Sequence, residues 1–233
     1  MHHPVEAMLA DPWGALGTLV DGPLHPGGGD ATEDLLDRAG VDSGTRLLDI
    51  GCGAGESLAI ARERGAEATG LDRRPDADGT IRGDLASLPV GDGRVDVVLA
   101  ECVLCLCSDV ERSIAEAERV LIPGGRLALS DVVVEGEAPD LPETISRALC
   151  LSGPRGRAET IDRIERAGFE VGAVQDHGED LLAMRDRIQE QVDYEGLLGL
   201  LGERGERLLD GIADLEAAIE DGEIGYVSVV ATA

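Results

Sequence analysis

The chain has 233 residues, enough for one domain or one domain with an appendage, and its 43% hydrophobic content can support a core. Its 47 acidic residues against 20 basic leave a net charge of −27, a field that repels phosphate backbones and argues against nucleic acid as a partner. No run reaches the ~18 apolar residues of a membrane span, and five cysteines, an odd number, favour reduced thiols of a cytoplasmic protein over a disulfide framework.

Every basic residue is arginine, and lysine and asparagine are absent. The acids are dispersed rather than gathered in blocks, which reads as a solvated surface adapted to high salt rather than an interaction tail. The opening MHHPVEAMLADPW lacks the basic region and apolar stretch of a signal peptide, and His2-His3 reads as a disordered terminus.

Residues 1–30, rich in glycine and proline and ending in PLHPGGGD, are expected to form an arm or lid. A short helix follows over Thr32 to Ala39, then a buried strand over Arg46 to Ile50. ESLAIARERG predicts a helix with Gly65 as its C-cap. EATGLD and GTIRGD hold the second and third strands, and VDVVLAE is a continuous apolar strand suited to the centre of a parallel sheet. Ser108 to Glu111 reads as a capping box opening a helix through Leu121. The Pro123-Gly124-Gly125 turn leads into the strand RLALSDVVV. RAETIDRIERAGF predicts an amphipathic helix stopped by Gly168, followed by the strand EVGAVQD. Glu179 to Asp221 is helical and charged, broken near Gly196, Gly199, Gly202 and Gly205, and is expected to be mobile; IGYVSVVAT is a last strand. Strands alternating with helices indicate a doubly wound α/β sheet.

In such sheets ligands bind beyond the carboxyl ends of the strands, near the topological switch. The stretch LLDIGCGAGES ends a strand and places Gly51, Gly53 and Gly55 where a backbone can approach a ligand. Taken alone it fits a dinucleotide pyrophosphate or a tight turn without any ligand. The acids narrow the choice. Asp72 ends the second strand, where a carboxylate can take both ribose hydroxyls, and Asp84 follows the third, where a side chain can read an adenine amino group. Asp49 before the loop repels a pyrophosphate but suits a sulfonium and an α-amino group. The set favours S-adenosylmethionine.

LLDIGCGAGE, GLD with Asp72, RGDLASLPV, VDVVLAECVL and ERVLIPGGRLALSD together resemble the class I S-adenosylmethionine-dependent methyltransferases, strongly from Arg46 to Asp131. The resemblance implies a Rossmann-like, mostly parallel seven-stranded sheet whose last strand, IGYVSVVAT, inserts antiparallel. The methyltransferase domain is then residues 31–233, with a helical insertion at about 179–221. It further implies that the Gly51 to Gly55 loop faces the methionine part, Asp72 the ribose and Asp84 the adenine. The cofactor set is Asp49, Gly51, Cys52, Gly53, Gly55, Asp72, Arg73, Asp84, Leu85 and Glu101. Cys52 itself is read as filling a niche in the turn, and His177 as a surface or capping residue.

Cys102 directly follows the fourth strand, Cys105 and Cys107 come just after it, and Cys150 lies in ALCLSGPRG. Each could be a small buried apolar residue. AECVLCLCSDVERSIAEAERVLIPGG and ALCLSGPRGRAETIDRIERAGF, however, resemble segments of arsenite methyltransferases, in which cysteines at the positions of Cys102 and Cys150 bind trivalent arsenic. Soft thiolates suit such a thiophilic centre. That family usually has a third cysteine early in its first helix, where this chain reads ESLAIARE, and a longer cysteine-bearing C-terminal portion. The implied enzyme transfers methyl from S-adenosylmethionine to a small molecule, arsenite being one option, with Cys102 and Cys150 as catalytic residues. The alternative is a non-catalytic thiolate site for a metal or metalloid on a methyltransferase-like fold.

Overall fold

The computed structural model describes residues 4–20, 24–75, 77–152 and 156–233. The His2-His3 terminus and Gly153 to Arg155 of the SGPRG segment lie outside the described residues.

The apolar run of Arg46–Ile50 forms β1, flanked by β2 (Glu67–Asp72) and β4 (Val95–Glu101), all parallel. β3 (Thr80–Arg82) pairs parallel with β2, and β5 (Leu121–Val134) with β4. The complete order is β3-β2-β1-β4-β5-β7-β6, with β7 (Ile224–Thr232) antiparallel between β5 and β6 (Glu170–Asp176). The predicted seven-stranded sheet with an antiparallel last strand is therefore present. The chain order reverses between β1 and β4, so a crevice opens past their carboxyl ends.

Alternation along the strands divides the core into two layers. Leu47, Val97, Leu99 and Ala128 face Leu35 and Leu36 of α3 (Gly28–Arg38) and Ala61 of α4 (Glu56–Glu63). Leu48, Ile50, Val98, Ala100 and Leu129 face the opposite layer. There they meet Val110, Ile114 and Ala117 of α5 (Val110–Val120), and further on Ile164 of α7 (Arg157–Arg166). At the amino ends of the strands, Arg46 forks onto Asp96 at 2.6 and 2.9 Å and holds that carboxyl below its ordinary range.

Local corrections follow from geometry. The cap of α5 is Asp109, whose carboxylate accepts the Arg112 N–H at 3.0 Å, rather than Ser108. The Pro123-Gly124-Gly125 turn is a kink within β5: Leu121 pairs with Val95 and Arg126 with Val97, leaving the residues between as a bulge. α3 begins four residues ahead of the expected helix, at Gly28. The link after β5 holds an unexpected helix, α6 (Glu143–Ala148).

The arm folds as α1 (Pro4–Ala10) and α2 (Pro12–Leu19), and the charged segment as α8 (Gly178–Gln191), α9 (Tyr194–Gly199) and α10 (Glu203–Glu220). The two ends of the chain meet here. Val5 of α1 is buried with Leu198 of α9 and Leu208 of α10. Among the described residues no helix is long and apolar enough to cross a membrane.

Two of the segment's glycines permit close packing. A Cβ at Gly205 would stand 1.9 Å from the Leu198 carbonyl oxygen, and one at Gly211 would stand 2.7 Å from the Leu141 side chain. Gly205→Ala is accordingly expected to lower stability by about 1–3 kcal/mol through backbone displacement at the α9–α10 corner. A thermal or denaturant transition unchanged by that substitution would contradict this packing.

Candidate active site

Beyond the carboxyl ends of β1, β2 and β4 lies a cavity of about 1150 Å³. Its floor carries Asp49, Asp72, Glu101 and Cys102, and the arm supplies its roof through Pro12, Val20, Leu24 and His25. The crevice predicted from the strand order is thus a covered pocket. The ten residues expected to hold the cofactor divide by location: all but Gly55 line this cavity. Gly55 is the left-handed N-cap of α4 and shapes the turn from behind.

Three glycines set the path of the loop, each at positive φ: 86° at Gly51, 48° at Gly53 and 84° at Gly55. A Cβ on Gly51 would strike Val103 at 2.3 Å, whereas one on Gly53 would meet nothing within 4 Å. Gly51 is required for packing beneath the loop, and Gly53 opens toward the cavity. Asp72 ties the loop to β2, accepting the Gly53 N–H at 3.2 Å and the Arg74 N–H at 2.7 Å. Asp84 accepts the Ala86 N–H at 2.9 Å, and Leu85 beside it is 6% exposed and joins the core. Arg73 stands exposed at the rim.

Asp49 is the least compensated acid of the site. It is 3% exposed, and its Oδ2 is buried without a hydrogen-bond partner. Burial pushes its carboxyl well above the ordinary carboxylate range, and the Glu101 and Asp72 charges push it further. Glu101 is held by hydroxyls from two elements: Thr32 of α3 donates to Oε1 at 3.0 Å and Ser57 of α4 to Oε2 at 2.6 Å. His25 joins this network from the arm, with Nε2 3.4 Å from the Thr32 hydroxyl and Nδ1 3.2 Å from the Pro26 carbonyl. His25, Thr32 and Ser57 were not singled out by sequence. The glycine-dense PLHPGGGD marked the arm, but nothing local linked its histidine to a residue at the end of β4.

Cys102 and Cys107 line the cavity, whereas Cys105 and Cys150 are buried beside it. Cys102 has φ 49° and Cys150 φ 58°, and among the described residues these two are the non-glycine positions with positive φ. Such a backbone costs of order 1–3 kcal/mol at a non-glycine residue. The ligand atoms of Cys102, Cys150 and Asp131 lie within 4.8 Å of one another. Asp131, at 5% exposure, accepts the Cys105 N–H at 3.1 Å and so pins the short 3-10 turn Leu104–Leu106 beneath them. The Tyr226 hydroxyl donates to Ser130 at 2.7 Å and lies 3.8 Å from the Cys102 sulfur.

Burial and the Asp131 charge raise the Cys102 thiol well above its ordinary value, with the Tyr226 contact opposing them. Cys52 is pushed up to about 12 by burial and the Asp49 charge, so it is a neutral side chain filling the turn. Reduced thiols were expected throughout, but Cys105 and Cys150 form a disulfide, their Cα atoms 5.2 Å apart. The fold brings the turn after β4 against the end of α6, a pairing across 45 residues that spacing alone does not reveal. His177 caps α8 by position, but its Nε2 lies 2.6 Å from the buried Ser228 hydroxyl, so it is half-buried rather than a surface residue.

Comparison with known proteins agrees with this geometry. Residues 48–129 match the family described as "Methyltransferase domain". Methyltransferase GfsG of Streptomyces halstedii is 30% identical over 204 residues, covering 78% of this chain and 73% of that protein. The arsenite methyltransferase of Halobacterium salinarum is 33% identical over 157 residues, which cover 57% of this chain but 39% of that longer protein. Among solved structures, Haemonchus contortus phosphoethanolamine N-methyltransferase 2 in complex with S-adenosyl-L-methionine superposes with a TM-score of 0.71 at 19% identity, covering 99% of this chain and 60% of that one. That last likeness concerns the fold.

The residues present fit S-adenosylmethionine. The unpartnered Oδ2 of Asp49 calls for a cationic or N–H donor, and Gly53 leaves space for a ligand to approach. A cation beside Asp49 favours its ionised form, so binding at a pH below the raised value releases a proton. Affinity for S-adenosylmethionine should climb as pH rises from the ordinary carboxyl value of 3.8 through the raised one, then level off. Titration calorimetry in buffers of different ionisation heat should register the released proton, and Asp49→Asn should remove both the proton and the slope. A pH-independent affinity in the parent protein would contradict this role.

Proposed function

The chain belongs to the class I S-adenosylmethionine-dependent methyltransferases, and from that premise we propose that its acceptor is a small molecule with a thiophilic centre, trivalent arsenic being the simplest, held by Cys102 and Cys150. The observation that carries this reading is the convergence of two cysteines in left-handed backbone with sulfurs in mutual reach, Cys102 lining the cofactor cavity and Cys150 buried beside it. Backbone strain persists where the surroundings over-determine it, and here it aims two soft ligands at one point. The likeness to an arsenite methyltransferase supports the same centre.

The bound cofactor supplies an electrophilic methyl group on a sulfonium. The chain's own residues supply placement and dryness. Arsenite condenses with neutral thiols: each S–H proton leaves with an arsenic hydroxyl as water, and an As–S bond forms. The raised Cys102 thiol is therefore compatible with capture, which needs no standing thiolate. Arsenic so held by the two thiols would keep its lone pair free, and the cofactor, when bound, would supply the electrophilic methyl group to that lone pair. Cys150 can take part once its bond to Cys105 is reduced, and Cys105 then stands as a third thiol beside it.

The arm serves in this reading as part of the wall over the cavity, and the dispersed acidic surface fits a cytoplasmic protein at high salt. With thiol reductant present, arsenite should support release of S-adenosylhomocysteine. Cys102→Ser should lower that rate about a hundredfold or more, worth about 2.7 kcal/mol of transition-state stabilisation, while S-adenosylmethionine affinity stays unchanged. Unaltered turnover in that variant overturns the thiol mechanism. Tight metal binding without turnover in the parent protein would instead favour the non-catalytic alternative.

A further inference from the structure

The two sulfurs of the acceptor site have a third neighbour that the thiol reading does not use. Among the described residues, the ligand atoms in mutual reach are the sulfurs of Cys102 and Cys150 and a carboxylate oxygen of Asp131, all within 4.8 Å of one another. Cys105 is outside this group, although it is bonded to Cys150. The third corner of the site is therefore a carboxylate rather than a thiol. Its position is set from two sides. Asp131 belongs to β5, and it accepts the Cys105 N–H at 3.1 Å and the Val132 N–H at 2.9 Å. The carbonyl of Ser130, one residue earlier, accepts the Cys102 N–H at 2.8 Å. One strand end thus fixes both the backbone of Cys102 and the carboxylate near its sulfur. A carboxylate has about four acceptor sites on its two oxygens, so the two N–H bonds orient it without using all of them.

Arsenite in neutral water is arsenic bearing three hydroxyls. Capture by two thiols forms two As–S bonds, and two S–H protons leave with two of the hydroxyls as two waters. One As–OH remains. In a buried place that O–H is costly unless it meets an acceptor. A carboxylate is a poor ligand for a soft centre, but it is a strong acceptor for an O–H donor. Trivalent arsenic is also pyramidal, so its lone pair points away from its three partners. Cys102 lines the cavity, whereas Cys150 and Asp131 are buried beside it. With two of three anchors on the buried side, the lone pair is turned toward the cavity.

We infer that Asp131 is the third anchor of the acceptor: it accepts the hydrogen of the one hydroxyl that capture by two thiols leaves on arsenic. Asp131 thereby selects inorganic arsenite over arsenicals in which a carbon takes the place of that hydroxyl. The inference rests on the thiol reading given above and adds a specificity-determining residue to it.

The test compares arsenite with methylarsonous acid, which loses both of its hydroxyls to two thiols and keeps a methyl group where arsenite keeps a hydroxyl. Both are titrated calorimetrically into the full chain loaded with S-adenosylhomocysteine and reduced with a phosphine, which offers arsenic no competing thiol. 1,3-Propanedithiol titrated in the same way gives the preference of two thiols alone. The protein should favour arsenite about tenfold more than the dithiol does, the effect of one hydrogen bond to a charged group. Asp131→Asn should erase that excess by weakening arsenite binding while methylarsonous acid binds as before. A merely structural Asp131 would move both arsenicals together, and that result, or an excess that survives Asp131→Asn, overturns the inference. An excess lost in Cys105→Ser but kept in Asp131→Asn also overturns it, because the third place then belongs to the thiol. The parent protein decides the matter even where a variant does not fold, since no excess over the dithiol overturns the inference outright. Failure of the thiol reading looks different: neither arsenical binds the parent protein, or both bind Cys102→Ser as tightly as the parent.

Discussion

A carboxyl group buried at the end of a central strand, with one oxygen facing no donor, is the constraint around which this site is organised. An ionised Asp49 is costly there, and burial pushes its carboxyl well above the ordinary carboxylate range. Everything near it maintains the arrangement. β1 lies between β2 and β4 and cannot move its end independently of either. The left-handed turn at Gly51 places Val103 directly beneath the loop and closes that side to water. Glu101, the other acid in reach, is occupied by two hydroxyls from α3 and α4. The same residues that fix the sheet's switch point therefore also surround Asp49 and exclude a compensating donor from its free oxygen.

Much of this was legible in the sequence because it depends on local rules. Continuous apolar runs bounded by glycine turns give buried parallel strands, and acids at three successive strand ends, Asp49, Asp72 and Asp84, give a ligand with hydroxyls and a cation. What sequence could not provide were pairings set by the closing of the fold. Thr32 and Ser57 reach Glu101 from separate elements, over 69 residues in the case of Thr32, and His25 reaches the Thr32 hydroxyl. The Cys105–Cys150 bond belongs to the same class, since no spacing rule joins the turn after β4 to the end of a helix read as a polar link. The short α6 was invisible for a simpler reason: six residues offer less than two helical turns of periodicity.

The glycines of the C-terminal segment illustrate how one residue type supports opposite inferences. Scattered glycine in a helical stretch lowers helix propensity and suggests a loose region. At Gly205 and Gly211 the missing side chain instead lets backbones approach closer than any Cβ allows, so these residues serve contact between α9 and α10 and between α10 and the link after β5. Gly202, at φ 58°, breaks the chain between helices as composition suggests. Whether a helix glycine loosens or tightens a fold is decided by what stands opposite it, which is tertiary information.

Charge is distributed on the same principle of opposition. A surface of dispersed acids sets a long-range negative field whose reach is a Debye length, about 8 Å at physiological ionic strength and about 3 Å at 1 M. Inside the cavity, separations are contact distances, and salt screens them far less than it screens the surface. An acidic exterior can therefore serve solubility without setting the interactions inside the site, which are made at contact distance. Asp72 and Asp84 are oriented by backbone amides, hydrogen bonds at contact distance that salt screens far less than it screens the surface field.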